Sequence, residues 1–226
     1  MKYQSYAAVA VLAALGACGG GGTDSVSPQS AAATAPCTLE LNGDSILDSP
    51  GIVRPAIRLA AARPLWQIED DSLGGLPLRE LIAGNPSRHV EPYAAKQHSA
   101  EFVVIENGGA DALQERSTID YEADLRWTID HVRGRGAVPI LTGIVVIPVG
   151  ELFTAPRVQR RAELNAIVRM VAQQEALPYA GWDTAEFAGL SETIDTVHRT
   201  QPASDRLVAK LVATLDALAP QCSAAQ

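Results

Sequence analysis

The chain has 226 residues, which is enough for one domain with a sizeable core and too few for a second catalytic domain. Hydrophobic residues make up 47% and charged residues 19%, a composition that indicates a globular protein and excludes a disordered one. The formal net charge is -8 and the longest positive run is Arg160-Arg161, which argues against nucleic acid as a partner.

The N-terminus carries the features of a secretory signal. Lys2 precedes an apolar run over 6–17, which is too short for a permanent membrane-spanning helix. Residues 1–17 are therefore predicted to be a signal peptide outside the fold. The run ends in Leu15-Gly16-Ala17-Cys18, which resembles the lipobox of bacterial lipoproteins, where cleavage precedes a cysteine whose thiol carries lipid. The alternative is an ordinary signal peptide that is cleaved nearby.

Residues 18–36 have the composition of a flexible tether. Four glycines follow Cys18, and Thr, Asp, Ser, Pro and Ala fill most of the remainder, so this segment has little to pack. A tether directly after the cysteine favours the lipoprotein interpretation. It predicts a protein held on a membrane through Cys18 and facing the periplasm, or a secreted protein if the lipobox is not used. The domain is then predicted over 37–222, with a tail at 223–226.

The remainder of the chain alternates between two kinds of pattern. Five short apolar runs predict strands at 38–41, 65–68, 102–105, 138–146 and 177–182. Helical patterns separate them, most clearly at 119–133, 157–176 and 204–218. In the first of these helices, one face is predicted to carry Ile119, Leu125, Ile129 and Val132.

This alternation predicts an α/β fold. Right-handed crossovers between successive strands would give a three-layer α/β/α sandwich, flavodoxin-like, around a central parallel sheet of about five strands. Sites in such sheets form at the carboxyl ends of the strands. The positions that follow the predicted strands hold Asp44 and Ser45, residues 70–75, residues 107–111, and the loop with Asp195 and His198.

Two of these positions have the residue types of a nucleophilic site. Ser45 lies in Leu41-Asn42-Gly43-Asp44-Ser45-Ile46-Leu47, after the first predicted strand. Asp195-Thr196-Val197-His198 places an acid and an imidazole in one loop before the last predicted helix. A serine nucleophile needs a base, an acid that orients the base, and donors for the oxyanion, so these residues predict a Ser-His-Asp triad.

At this point the chain resembles the GDSL or SGNH hydrolases, and especially their compact esterase, thioesterase and lysophospholipase branch. The matching blocks are Gly43-Asp44-Ser45-Ile46, Ser72-Leu73-Gly74-Gly75, Gly108-Gly109-Ala110-Asp111 and Asp195-Thr196-Val197-His198. The resemblance implies that Ser45 is the nucleophile, that His198 is the base and that Asp195 orients it. It also implies that the amides of Ser45 and Gly74 contribute to the oxyanion hole.

The third block departs from the family at Ala110. Family members have an asparagine there, and its side chain normally donates a hydrogen bond to the oxyanion. Losing one such donor can cost about 100 to 1,000 fold in rate. Two interpretations stay open: either Asn107, another side chain or water supplies the donor, or the protein is a weak or inactive relative. Arg199-Thr200-Gln201 also departs from the Pro and Asn often found after the histidine.

The remaining cysteines and histidines complete the candidate residues. Cys37 precedes the first predicted strand and Cys222 follows the last predicted helix, so the two form a disulfide candidate outside the cytoplasm, with two free thiols as the alternative. His89, His98 and His131 have no second ligand at metal spacing. No metal site and no cofactor are predicted.

The predicted activity is the hydrolysis of small acyl esters, thioesters, lysophospholipids or O-acetylated sugars, as the resemblance implies. Two other functions stay open, namely a lipid-anchored binding protein that has lost useful catalysis and an acyltransferase that passes the acyl group to a sugar or lipid. The sequence does not indicate an oligomeric state.

Overall fold

The structure is a computed structural model, and it describes residues 37–223. The predicted signal peptide, the tether with Cys18 and residues 224–226 of the tail lie outside the described residues. The described part forms one compact unit.

The centre of the fold is a parallel sheet with the strand order β2-β1-β3-β4. Its strands are β1 Cys37–Asn42, β2 Trp66–Asp70, β3 Phe102–Ile105 and β4 Val138–Leu141. The inner strands β1 and β3 are buried almost throughout, and β3 accordingly reads as a continuous apolar run, whereas β1 also buries the polar side chains of Glu40 and Asn42. The edge strand β2 alternates between buried and exposed positions. The predicted α/β fold with a central parallel sheet is confirmed.

The sheet has four strands and not about five. The predicted fifth strand at 177–182 runs beside the end of β4 and makes a single bridge, between Leu141 and Tyr179. Pro178 has no amide hydrogen to extend the ladder, and Gly181 turns the chain into the left-handed region at φ 64°. The fourth strand is also shorter than predicted, because Gly143 at φ 81° turns the chain out of the sheet after Leu141.

Seven α-helices surround the sheet in the described residues. They are α1 Ser45–Asp48, α2 Pro55–Ala62, α3 Leu78–Ala83, α4 Gly109–Leu113, α5 Thr118–Gly134, α6 Ala155–Gln174 and α7 Gln201–Leu218. Helix α2 packs against α7, while α5 packs against both α3 and α6. These two groups are the helical layers that right-handed crossovers place on opposite faces of the sheet.

The three predicted long helices are present as α5, α6 and α7. The prediction was wrong about one residue on the buried face of α5. In α5, Leu125, Ile129 and Val132 are buried as predicted, but Ile119 is 80% exposed. Tyr121 occupies the buried face in its place, one helical turn before Leu125. The apolar side chain of Ile119 near the start of the helix therefore did not mark the buried face.

Cys37 and Cys222 form a disulfide, with their Cα atoms 6.0 Å apart. Cys37 is the first residue of β1, so this bond ties the C-terminal end of the domain to the amino end of the sheet. The opposite, carboxyl end of the sheet remains open for a site. Within 37–223 there is no helix with the length and apolar character needed to cross a membrane.

Candidate active site

A cavity of about 240 Å³ opens at the carboxyl end of the sheet. It brings together parts of all four blocks, because its lining includes Ser45, Gly74, Ala110 and His198. These residues lie far apart in the chain and meet because the loops after parallel strands share one edge of the sheet. Much of the remaining lining is apolar, from Ile46, Pro50, Leu113, Ile147, Leu152, Phe153 and Val197.

Ser45 is the first residue of the short helix α1, directly after β1. Asp44 caps this helix, and its carboxylate accepts a hydrogen bond from the amide of Ile46 at 3.1 Å. The turn requires Gly43, because a Cβ there would lie 2.5 Å from a carboxylate oxygen of Glu106. The strand, the glycine and the cap together present a partly exposed Ser45 to the cavity.

Asp44 also joins the first block to the third. Its second carboxylate oxygen accepts the amide of Ala110 at 2.9 Å, and its own amide donates to the carboxylate of Glu106 at 2.9 Å. Both acids are fully enclosed, and burial raises the pKa of each above its ordinary value. The two buried acids hold the turn that carries Ser45 against α4.

Asp195 and His198 form the predicted acid–base pair. The Nδ1 atom of His198 lies 2.6 Å from Oδ2 of Asp195, while Oδ1 accepts the backbone amides of His198 at 2.9 Å and Val197 at 3.2 Å. Partial burial disfavours the Asp195 carboxylate, but these hydrogen bonds outweigh it and lower its pKa. Thr196, between the two, has a φ of 76°, an unusual conformation for a β-branched residue.

The other ring nitrogen of His198 is directed into the protein. Nε2 is buried and has no hydrogen-bond partner among the described residues. His198 and Ser45 both line the cavity, although no hydrogen bond joins them in the part of the chain described. Contacts between base and nucleophile are often loose without substrate and tighten in the reacting complex.

The oxyanion side differs from what the family resemblance implies. Ala110 presents only a methyl group at the cavity. Asn107 does not replace the missing donor, because it is buried outside the lining of the cavity, where its side-chain amide donates to the carbonyl of Leu76 at 3.0 Å. The amide of Gly74 donates to Oδ2 of Asp48 at 2.9 Å. The amide of Ser45, at the start of α1, belongs to the set that a helix leaves without intrahelical partners.

Sequence reasoning missed two residues of this region, Asp48 and Arg199. The Arg199 guanidinium is buried, donates to the carbonyl of Val146 and lies 3.7 Å from the ring centre of Phe187. Burial lowers the pKa of Arg199 to about 10. It anchors the loop of His198 to the segment after β4. The sequence signals for Arg199 were its position next to His198 and its departure from the family pattern there, but they predicted no role for it.

The other histidines pack outside this cavity. His98 lies within 2.7 Å of Glu40 through Nδ1 and within 2.8 Å of the Tyr93 carbonyl through Nε2. The ring of His131 stacks on Trp127. Among residues 37–223 there is no group of three His, Cys, Asp or Glu side chains placed to hold a metal ion.

Comparison with known structures places the fold. The chain is 14% identical to a lipolytic protein of the G-D-S-L family from Veillonella parvula, with a TM-score of 0.64, and the match covers 78% of this chain and 97% of that one. It is 22% identical to TesA, with a TM-score of 0.60 and coverages of 80% and 99%. It is 16% identical to the acetylxylan esterase Axe2 from Geobacillus stearothermophilus, with a TM-score of 0.61 and coverages of 80% and 94%.

At these identities, the structural likeness establishes the fold and not the substrate. No curated protein matches the chain. The profile of the GDSL-like Lipase/Acylhydrolase family, however, matches residues 43–206, which contain the Ser45 turn, both middle blocks and the Asp195–His198 loop. The chain therefore belongs to the GDSL-like lipase/acylhydrolase family.

Proposed function

We propose that this protein is a serine hydrolase that cleaves carboxylic esters or thioesters with Ser45, His198 and Asp195. Family membership supports ester hydrolysis in general. One observation carries the specific assignment: His198 is bonded to Asp195 through Nδ1, and its other ring nitrogen has no partner among the described residues beside the cavity that holds Ser45. This is the arrangement of a base awaiting a hydroxyl proton.

In the proposed reaction, His198 Nε2 takes the proton of the Ser45 hydroxyl as Oγ attacks the ester carbonyl. The protonated His198 then gives that proton to the departing alcohol or thiol, which leaves an acyl group on Ser45. Water attacks this acyl-enzyme with His198 again as base, releasing the acid and restoring the serine. Asp195 holds the imidazole in orientation throughout and stabilises its charged form.

The oxyanion hole is proposed to be weak. The amides of Ser45 and Gly74 are its candidate donors, and Ala110 supplies none in place of the family asparagine. A missing donor of this kind costs about 100 to 1,000 fold in turnover. We therefore expect slow hydrolysis of esters by the wild type.

The cavity favours an ester with an apolar acyl group. Most of its lining consists of hydrocarbon side chains, including Leu113, Ile147 and Phe153, so each methylene of a bound chain would leave water. A series of nitrophenyl esters from acetate to octanoate tests this preference. We expect kcat/KM to rise with chain length until the cavity is filled, whereas a maximum at acetate would exclude an apolar acyl site.

The test of the catalytic assignment is covalent labelling together with turnover. The domain from Cys37 onward is treated with a fluorophosphonate and assayed on a short-chain nitrophenyl ester, with Ser45→Ala as the matched control. Labelling and hydrolysis that both require Ser45 would support the proposal. Neither labelling nor turnover above the Ser45→Ala level would contradict it.

Because Ala110 lacks the family's side-chain donor, the same test also has to distinguish two other candidate functions, a binding protein and an acyltransferase. A binding protein that kept the fold without useful catalysis would leave Ser45 unlabelled. An acyltransferase would be labelled but would hydrolyse esters poorly, and an added sugar or lipid alcohol would raise its rate of ester consumption.

We propose that the protein works in the bacterial cell envelope on a lipid anchor at Cys18, outside the described residues. The support is the Leu15-Gly16-Ala17-Cys18 lipobox and the tether that follows it. Metabolic labelling with a fatty-acid analogue tests this in the full chain. We expect label on the wild type and none on Cys18→Ala, and an unlabelled wild type found in the medium would instead indicate secretion.

A further inference from the structure

Asp48 lies beside the nucleophile. It follows Ser45 by three residues on α1, so the two side chains leave the same face of this short helix. Its Oδ2 accepts the amide of Gly74 at 2.9 Å. A Cβ built on Gly74 would lie 3.1 Å from that oxygen and 3.8 Å from the Cβ of Ser45. A carboxylate therefore occupies a candidate oxyanion donor next to the reacting hydroxyl.

The Gly74 peptide is fixed from its other side. The guanidinium of Arg88 donates to the carbonyl of Gly74 and, at 3.1 Å, to that of Gly75. The preceding amide, of Leu73, donates to the carbonyl of Gly43 at 3.1 Å. The Gly74 amide also shares its peptide plane with the carbonyl of Leu73, which accepts the amide of Leu76 at 3.0 Å, so this plane cannot turn the Gly74 hydrogen away from Ser45 without breaking that bond. Its hydrogen bond must therefore pass from one acceptor to another in place.

The hold on Asp48 can be released. Arg54 pairs with Asp48 and also approaches Asp70 at 3.3 Å, so the arginine has a second carboxylate partner if Asp48 moves. The side chains of Arg54 and Asp48 are 37% and 32% exposed, and ion pairs with this exposure are weak because water competes for them. The ion pair between Arg54 and Asp48 can therefore break when Asp48 moves.

We propose that Asp48 is a positioning residue that occupies the Gly74 amide in the resting site and must yield it to the oxyanion during acyl transfer. This inference rests on the proposed function. The carboxylate and the oxyanion compete for one N–H, and their negative charges repel at short range. In the resting site the Gly74 amide is bound to Asp48, and Ala110 has no side-chain donor. Of these three positions, the Ser45 amide is the one that is free to bind the oxyanion.

The proposal predicts a graded response to substitution. Asp48→Asn removes the charge but keeps an oxygen that accepts from Gly74, whereas Asp48→Ala also frees the amide. We expect kcat on a nitrophenyl ester to rise about threefold in Asp48→Asn and about tenfold in Asp48→Ala, below the ~100-fold that a whole donor is worth. KM should change less than twofold, since the ground-state ester carries no negative charge.

A boronic acid supplies a second measurement. Phenylboronic acid adds to the Ser45 hydroxyl as a tetrahedral anion, with the hydroxyl proton passing to His198, and so imitates the charged intermediate. Its inhibition constant should fall in parallel with the rise in kcat. A merely structural role for Asp48 would not tighten this anion selectively. Asp216→Asn is the matched control, because it makes the same charge change in a second aspartate–arginine pair, that of Asp216 with Arg63. It should alter neither kcat nor the inhibition constant.

Fluorophosphonate labelling separates the outcomes. If Ser45 is labelled in the wild type but the folded Asp48 variants show equal or lower kcat and no tighter boronate binding, the role of Asp48 is excluded and the hydrolase assignment stands. Labelling of Ser45 only in Asp48→Ala would support both the role of Asp48 and the hydrolase assignment. If Ser45 is labelled neither in the wild type nor in any variant, both the role of Asp48 and the hydrolase assignment are overturned. Thermal unfolding of each variant shows that the proteins compared are folded.

Discussion

We expect Ala110 to limit catalysis in the proposed site, and its replacement tests this expectation. Its backbone amide is already bound to Asp44 at 2.9 Å, so the side chain alone can add a donor at the cavity. We predict that Ala110→Asn raises kcat by about 10 to 100 fold, up to the range measured for single oxyanion donors. The measurement is steady-state hydrolysis of a nitrophenyl ester.

Ala110→Leu is the control, because leucine has a similar size and no amide. It should not raise kcat. An equal rise in both variants would mean that cavity shape, and not hydrogen bonding, limits the rate. An unchanged rate in Ala110→Asn would mean that another group already serves the oxyanion.

Asp111 predicts how stability depends on pH. One of its carboxylate oxygens accepts the amide of Leu78 at 2.9 Å, and the other has no partner among the described residues. Burial, ahead of neighbouring charges, raises its pKa from 3.8 to about 7. Between these values the folded state binds more protons than the unfolded state. The contribution of Asp111 is therefore most favourable below pH ~4 and is lost as the pH rises to about 7.

We predict that Asp111→Asn, which keeps an acceptor for Leu78 and cannot ionise, raises the free energy of unfolding at pH 8 by a few kcal/mol, roughly 1.4 kcal/mol per pKa unit removed. Urea unfolding at pH 5 and pH 8 measures this, with the exposed Asp130→Asn as a matched charge change. A variant less stable than the wild type at pH 8 would show that the buried carboxylate is held as an anion.

At the scale of elements, the loop after β4 packs against the loop of the proposed catalytic pair. A Cβ on Gly150 would lie 3.1 Å from Cβ of Thr196, whose positive φ already constrains the turn between Asp195 and His198. We predict that Gly150→Ala displaces His198 and lowers kcat about tenfold, since small misplacements of catalytic groups are costly.

Gly134→Ala is the matched control for this substitution, because a Cβ on Gly134 meets nothing within 4 Å. It should leave kcat unchanged and slightly stabilise the end of α5. Equal activity in Gly150→Ala and the wild type would show that the two loops move independently.

At the scale of the whole molecule, the Cys37–Cys222 disulfide joins residues separated by 185 positions. Closing so long a loop restricts the unfolded chain, so the double variant Cys37→Ser, Cys222→Ser should lose about 2 to 5 kcal/mol of stability. Its kcat should be unchanged, because the bond lies at the amino end of β1 and the cavity at the carboxyl ends. Thermal unfolding and ester hydrolysis, each with and without reductant, test this.

Much of the fold was predictable because it depends on local pattern. The four strands and three long helices follow from apolar periodicity, which reflects burial directly, and from the glycines that flank some of them. The predictions failed where neighbours override pattern. Residues 177–182 look like a strand, yet Pro178 and Gly181 leave only one bridge, and Ile119 is apolar but exposed because Tyr121 fills the buried face.

The candidate site, like the fold, was predictable in part from the sequence. The sequence by itself determined which residues are proposed to carry the chemistry, since Ser45, Asp195, His198 and the Ala110 departure are matters of residue type and order. Only the tertiary structure decided which hydrogen bonds the candidate oxyanion donors make: the Asn107 side chain donates to the carbonyl of Leu76, and the Gly74 amide donates to Asp48. A hydrogen bond depends on distance and direction between segments brought together by folding, and residue order alone does not contain those quantities.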